Sequence, residues 1–235
     1  MDPENLKESA RATKEVAKAT KKGLVVAEKV GGFIANHIGG SLEQGMGIFE
    51  DKFKYYRAAN QLKYIAKFNK LANDLGIADQ MKPVPLKLTL PLFEAASIED
   101  DDYLQSLWVN LLLNASDEQS SINLQRSHIT VLEQLTSLEA RILEVIYSVE
   151  ATGSELNAVL THALPESADI RSERDINNGD ISPEDPSDET KLALANLARL
   201  RLLALPMTFG GGEIYHYVNH TLLGQHFVSA CTINL

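Results

Sequence analysis

The sequence predicts a mainly α-helical protein: a helical N-terminal and central region, then a winged-helix-like C-terminal domain with a small β-hairpin. Three observations lead there. Long proline-free stretches repeat their apolar residues at three- and four-residue spacing, the period of a helix with one buried face. Capping signals precede several of these runs, in Thr136 with Glu139, Ser187 or Asp188, and Thr221. The segment TFGGGEIYHYV turns on Gly210 to Gly212 between two β-prone runs, as a hairpin does. At 235 residues with 44% apolar side chains, the chain can bury one large core or two modest ones. Its organisation reads as a basic helix and Gly-rich apolar arm over 1–49, a helical domain over 50–135 and the winged-helix-like domain over 136–235.

From Glu4 to about Lys29 the chain has no proline and glycine only at position 23, which predicts a long helix. Lys7, Arg11, Lys14, Lys18 and Lys21 form one stripe along it. Leu6, Ala10, Thr13, Ala17, Thr20, Leu24 and Ala27 lie opposite, a face of small residues that buries little area and needs a partner surface to hold it. A solvated arm explains the same letters. Residues 23–49 then hold seven of the fourteen glycines among apolar residues. The longest uncharged stretch there, Val30 to Leu42, is 13 residues, short of the roughly 20 that span a bilayer. Gly32 and Gly39 belong to a small-residue pattern that lets two helices approach closely. A flexible helix-turn connection reads equally well.

A second basic helix is expected from about Asp51 to Leu75, with Tyr64, Phe68, Leu71 and Leu75 inward and Lys63, Lys67 and Lys70 in a neighbouring stripe. Aromatics interleaved with lysines suit nucleic acid or lipid headgroups, and also a core with a solvated rim. Gly76 closes this helix, and the KPVP run at Lys82 to Pro85 forms a stiff connector. LKLTLPLFEAASIE and DDYLQSLWVNLLLNA follow as two helices. Ser97 with Asp100, Asp101 and Asp102 gives a capping-box-like run at the second of these, and the sole tryptophan, Trp108, shares a face with Leu104, Leu111 and Leu112. In the last hundred residues Thr136 opens a helix carrying Leu138, Ile142, Val145 and Ile146, and GSELNAVLTHAL reads as a shorter one. An acidic, Pro- and Asp-rich loop over 165–186 separates it from KLALANLARLRLLAL, the hairpin and a closing helix ending near Cys231.

Charge is unevenly distributed. Residues 1–70 carry 13 Lys and Arg against 8 Asp and Glu, residues 71–136 carry 3 against 10, and residues 137–235 carry 6 against 14. A basic front on an acidic body fits a polyanionic surface for the front alone, or docking of one chain on another. The single cysteine and the lack of a secretory pattern at the N-terminus point to a reducing cytoplasm.

Marks of catalysis are sparse. No HExxH, phosphate loop, GxSxG or HxE…CxxC pattern is present. His216 and His220 are four apart in what reads as a strand and its exit, where that spacing does not hold both on one face. The sequence reading is therefore a protein without enzyme activity, cofactor, metal or small-molecule substrate. Duplex DNA binding by the tail is disfavoured because its third helix offers only Lys191, Asn196, Arg199 and Arg201 within an acidic block.

DKFKYYRAANQLKYIAK, KPVPLKLTLPLFEAASIEDDDYLQSLWVNLLLNA, HITVLEQLTSLEARIL and YHYVNHTLLGQHFVSAC stand in an order that resembles the Abi-alpha abortive-infection family, from about Asp51 to the C-terminus. The Gly-rich N-terminal segment and the acidic insertion lie outside that pattern. The resemblance implies phage defence by growth arrest or death of the infected cell, and supplies no catalytic residues. The expected partners are further copies of the chain or a neighbouring defence protein, with an anionic membrane surface met by the arm. The expected location is cytoplasmic, peripheral at the inner membrane. Lys7, Arg11, Lys14, Lys18, Lys21, Gly32 and Gly39 are the candidate contact residues. The alternative is a nucleic-acid-binding regulator using the tail or the Lys63, Lys67 and Lys70 stripe.

Overall fold

The computed structural model describes residues 29, 32–33, 38–39, 55–149, 158–170 and 184–233. It is mainly α-helical, with seven helices and a small three-stranded antiparallel sheet near the C-terminus among the described residues. The chain divides into two compact units between Asn123 and Leu124.

The first unit is built on α1 (Tyr55–Asp74), α2 (Leu86–Ile98) and α3 (Asp102–Ser116). Helix α1 ends as the sequence predicts, with Gly76 in the left-handed region at φ 69. The amide of Ile77 returns to the carbonyl of Ala72, so the last turn keeps its acceptors satisfied. Tyr64, Ile65, Phe68 and Ala72 form the buried stripe, while Leu71 and Leu75 are only half-buried. Trp108 is 1% exposed, and the hydroxyl of Tyr64 donates to its carbonyl oxygen at 3.2 Å, tying α1 to α3 inside the core. Burial pushes the Tyr64 hydroxyl well above the usual phenol range, so it stays a donor.

The cap of α3 differs in detail from expectation. Asp101 is the N-cap, accepting from the amides of Tyr103 and Leu104 at 2.9 Å. Ser97 is instead buried within α2, where its hydroxyl donates to the Glu94 carbonyl at 2.7 Å. Two acceptors four residues apart compete for one helix start, and the aspartate adjacent to the first turn has the shorter reach.

Part of the Gly-rich segment belongs to this core. Phe33 is 5% exposed. Its ring lies edge-on to Phe68 at 5.1 Å between centroids and to Tyr64 at 6.4 Å, and stacks on Phe93 at 5.9 Å. Strand β1 (Ile38–Gly39) pairs in parallel with β2 (Val84–Pro85), Ile38 opposite Val84 and Gly39 opposite Pro85. Residues before Glu50 thus supply a core aromatic and a strand to the helices that follow.

The second unit comprises α4 (Arg126–Leu132), α5 (Ser137–Ser148), β3 (Ala158–Leu160), α6 (Asp188–Arg199), β4 (Leu203–Ala204), β5 (Tyr217–His220) and α7 (Leu222–Cys231). The predicted caps hold: Thr136 and Glu139 make a reciprocal capping box, Ser187 accepts from the amide of Thr190, and Thr221 accepts from that of Gly224. The short helix expected over GSELNAVLTHAL is corrected in its described part, because Ala158 to Leu160 form a strand opposite Asn219 to Tyr217. A brief apolar run containing a β-branched residue fits strand or helix by pattern, and pairing with β5 decides it. Strand β5 is central, with β3 on one side and β4 on the other.

Candidate functional site

The basic stripe on α1 is best judged by what its lysines touch. Lys63 Nζ lies 2.5 Å and Lys67 Nζ 3.0 Å from the same oxygen of Asp102, and Lys67 also donates to the Asp102 backbone carbonyl at 3.1 Å. Two cations one turn apart on α1 therefore grip the first residue of α3. Hydrogen bonds from Lys63 and Lys67 hold the Asp102 carboxyl below its ordinary range. Lys70, a turn further on, is exposed. The structure thus brings Lys63 and Lys67 together around a carboxylate, at the end of α3 where Glu99, Asp100 and Asp101 precede it in sequence. That arrangement neutralises part of the charge a polyanion would use.

Of the arm residues, Lys7, Arg11, Lys14, Lys18 and Lys21 lie outside the described residues. Gly32 is helical and exposed, and a Cβ added there would meet nothing within 4 Å. Gly39 lies in β1, its Cα partnered with that of Pro85.

In the second unit, the polar side chains of α6 are largely engaged within the unit. Asn196 donates to Glu139 Oε1 at 2.6 Å, which fixes α6 to the capping box of α5. Arg199 donates to Asn196 and, at 3.1 Å, to Gln134. Lys191 pairs with Asp185 at 2.9 Å, and Asp185 also meets His216 Nδ1 at 2.6 Å. Lys191 first, and His216 with it, hold the Asp185 carboxyl low, while Asp185 raises the Lys191 ammonium. Asp185 thereby ties the segment entering α6 to the segment entering β5. Leu192, by contrast, is 74% exposed on α6. A helix presenting leucine to solvent and folding its cations back onto its own unit is poorly equipped to read a DNA groove.

Reasoning from sequence missed a knot around Tyr147. Its hydroxyl donates to the Leu202 carbonyl at 2.6 Å and accepts from the Thr221 amide at 3.0 Å, while its ring stacks on His220 with centroids 4.5 Å apart. His220 Nε2 lies 3.0 Å from the Ile146 carbonyl. Gly224 sits directly against this knot, since a Cβ there would overlap both the Leu202 carbonyl oxygen and the Tyr147 hydroxyl. The isolated glycine in TLLGQHF was the available signal, because a glycine inside a helix often marks close approach of another backbone.

Cys231 is buried, and burial pushes its thiol far above the usual range, so it is held as the unreactive thiol. No group of three or more His, Cys, Asp or Glu with metal-binding placement occurs among the described residues. No helix of the described residues is long and apolar enough to cross a membrane.

The family model described as abortive infection alpha matches residues 57–231. Neither the curated proteins nor the solved structures contain a match.

Proposed function

Because the chain belongs to the abortive infection alpha family, we propose that it is an antiphage protein of the abortive-infection kind, acting without catalysis through assembly or membrane contact by its N-terminal region. The observation that carries this reading is the extent of the family match, which runs through both units and ends at the last residue of α7. The absence of enzyme motifs in the sequence supports a role in binding rather than turnover. The basic stripe from Lys7 to Lys21 supports an anionic membrane surface, a further copy or a neighbouring defence protein as what the arm meets. In this reading the protein works in the cytoplasm, at the inner face of the membrane.

The test is phage challenge of bacteria carrying the gene, with plaque counts and culture survival at low and high phage input. Protection at low input with collapse of the culture at high input is the expected pattern. Equal plating efficiency with and without the gene, across a broad phage panel, overturns it. Reversing Lys7, Arg11, Lys14 and Lys18 to glutamate addresses the arm, and unchanged defence with unchanged native mass would remove the arm from the mechanism.

The second unit also supports a winged-helix-like reading, in the order helix α5, strand β3, helix α6, then β4 and β5 with β5 central. On that reading a nucleic-acid-binding regulator is the alternative. The ties from Lys63 and Lys67 to Asp102 and from Arg199 to Gln134 weigh against it. An electrophoretic shift on duplex DNA that weakens steeply with salt would favour the alternative.

A further inference from the structure

We propose that the loop apex over Met207 to Gly212, between β4 and β5, is a lipid-contact site that seats Phe209 and Met207 in the interface of a zwitterionic bilayer. Single exposed apolar side chains are common on protein surfaces, whereas two close together at a loop tip form a patch. Here Phe209 is fully exposed and Met207 is 65% exposed, two residues apart at one apex. The chain is uncharged from Leu202 to Gly212, with Arg201 and Glu213 as the flanking charges. Glu213 lies beside the Tyr215 hydroxyl, which donates to it at 2.5 Å.

Three amides of the apex, those of Thr208, Gly211 and Gly212, are bonded within the loop. Thr208 donates its amide to the Gly212 carbonyl at 2.7 Å, and Gly211 donates to the Thr208 carbonyl at 2.9 Å. Gly212 donates to Thr208 Oγ1 at 2.9 Å, and Ile214 donates to the Pro206 carbonyl at 2.9 Å. Amide donors satisfied inside the loop need not be stripped of water when the apex enters an interface, the main obstacle for irregular backbone in lipid. Gly211, at φ 86, makes the tight turn, and the three glycines add no side-chain bulk beside the phenylalanine.

Area and charge choose the occupant. One Phe and one Met supply a few hundred Å² at most, well below the roughly 800 Å² per partner of a stable protein interface, whereas a bilayer needs no matching shape. Residues 137–235 carry 6 basic against 14 acidic side chains, so this unit is repelled by anionic headgroups and meets a zwitterionic surface at lower cost. The inference goes beyond the arm-based mechanism, since it needs none of Lys7 to Lys21.

The experiment uses the full chain with Phe209→Trp and vesicles of phosphatidylcholine alone. The expected result is a blue shift and quenching by shallowly brominated lipid, both insensitive to salt, against the constant signal of buried Trp108. Phe209→Asp should weaken vesicle co-sedimentation about tenfold or more, because burying a Phe side chain is worth at least that factor. The glutamate reversals at Lys7, Arg11, Lys14 and Lys18 should leave the Phe209→Trp signal intact, which separates this site from the arm. No spectral change on vesicles overturns the proposal. So does a blue shift that grows with protein concentration in the absence of lipid, which would make the apex a contact between copies. Binding only to anionic vesicles that survives Phe209→Asp overturns it as well.

Discussion

Gly224→Ala is the sharpest test of the second unit, because one added carbon meets two polar atoms that cannot both retreat. The Leu202 carbonyl is backbone at the start of β4, and the Tyr147 hydroxyl is held by its bonds to Leu202 and Thr221. Forcing extra volume into a packed site costs about 1–3 kcal/mol. Displacing the hydroxyl loses two hydrogen bonds at about 1 kcal/mol each. The better helix propensity of alanine returns at most about 1 kcal/mol, less in a first turn. The net expectation is a loss of roughly 2–4 kcal/mol, or about 8–16 °C in the melting of a unit of this size. Urea and thermal melts of the Ala variant measure it. Tyr147→Phe serves as the partner in a double-mutant cycle: with the hydroxyl gone, the added methyl should cost less than in the parent. A neutral or stabilising Gly224→Ala would refute the close approach of α7 to the Leu202 turn.

Three further outcomes follow from the same packing logic. Phe33→Ala should destabilise the first unit by about 3–5 kcal/mol, the range for emptying a large aromatic site, and a chain of residues 50–235 should melt below the full chain; equal melting would show that the helices close without Phe33. Trp108→Ala should cost a similar 3–5 kcal/mol, and unchanged stability with lost phage defence would place Trp108 on a working surface instead. His128 is buried at the start of α4, its Nδ1 accepting from the Gln125 amide, and burial, helped by His226, holds its imidazole below the usual range. The unfolded chain then binds this proton at higher pH than the folded one, so its contribution is complete above about pH 6.5 and is lost as pH falls below that. A His128→Gln variant should flatten that part of the stability profile, as read by denaturant melts from pH 5 to 8.

How much was legible depended on whether a signal was local. Helix starts were, because Thr136, Ser187 and Thr221 satisfy amides within three residues of themselves. The end of α1 was too, since Gly76 needs only its own left-handed backbone. The strand at Ala158 to Leu160 was not, because its identity comes from Tyr217 to Asn219, nearly sixty positions away, and a three-residue apolar run carries no period of its own. Phe33 was hidden for the same reason. Its neighbours in sequence are glycines and small apolar residues that suggest a hinge, whereas its neighbours in space are Tyr64, Phe68 and Phe93.

The site followed the same division with one addition, that charge has to be read in pairs. A stripe of Lys63, Lys67 and Lys70 is visible at helical spacing, and by spacing alone it offers three cations to a polyanion. What the spacing omits is the start of α3, which places Asp102 against two of the three. The acidic run at Glu99 to Asp102 was legible as a cap, and so was the stripe, but nothing local says that one faces the other. The same holds on α6, where Lys191 and Arg199 look available in sequence and in space reach Asp185 and Gln134. Large uncharged side chains also face water in the second unit, Leu192, Met207 and Phe209 among them, and charge or chemistry alone does not pick them out. A unit with so strong an acidic excess is repelled by an anionic partner whichever side chains make the contact, so contacts made by these uncharged residues fit an uncharged or zwitterionic surface.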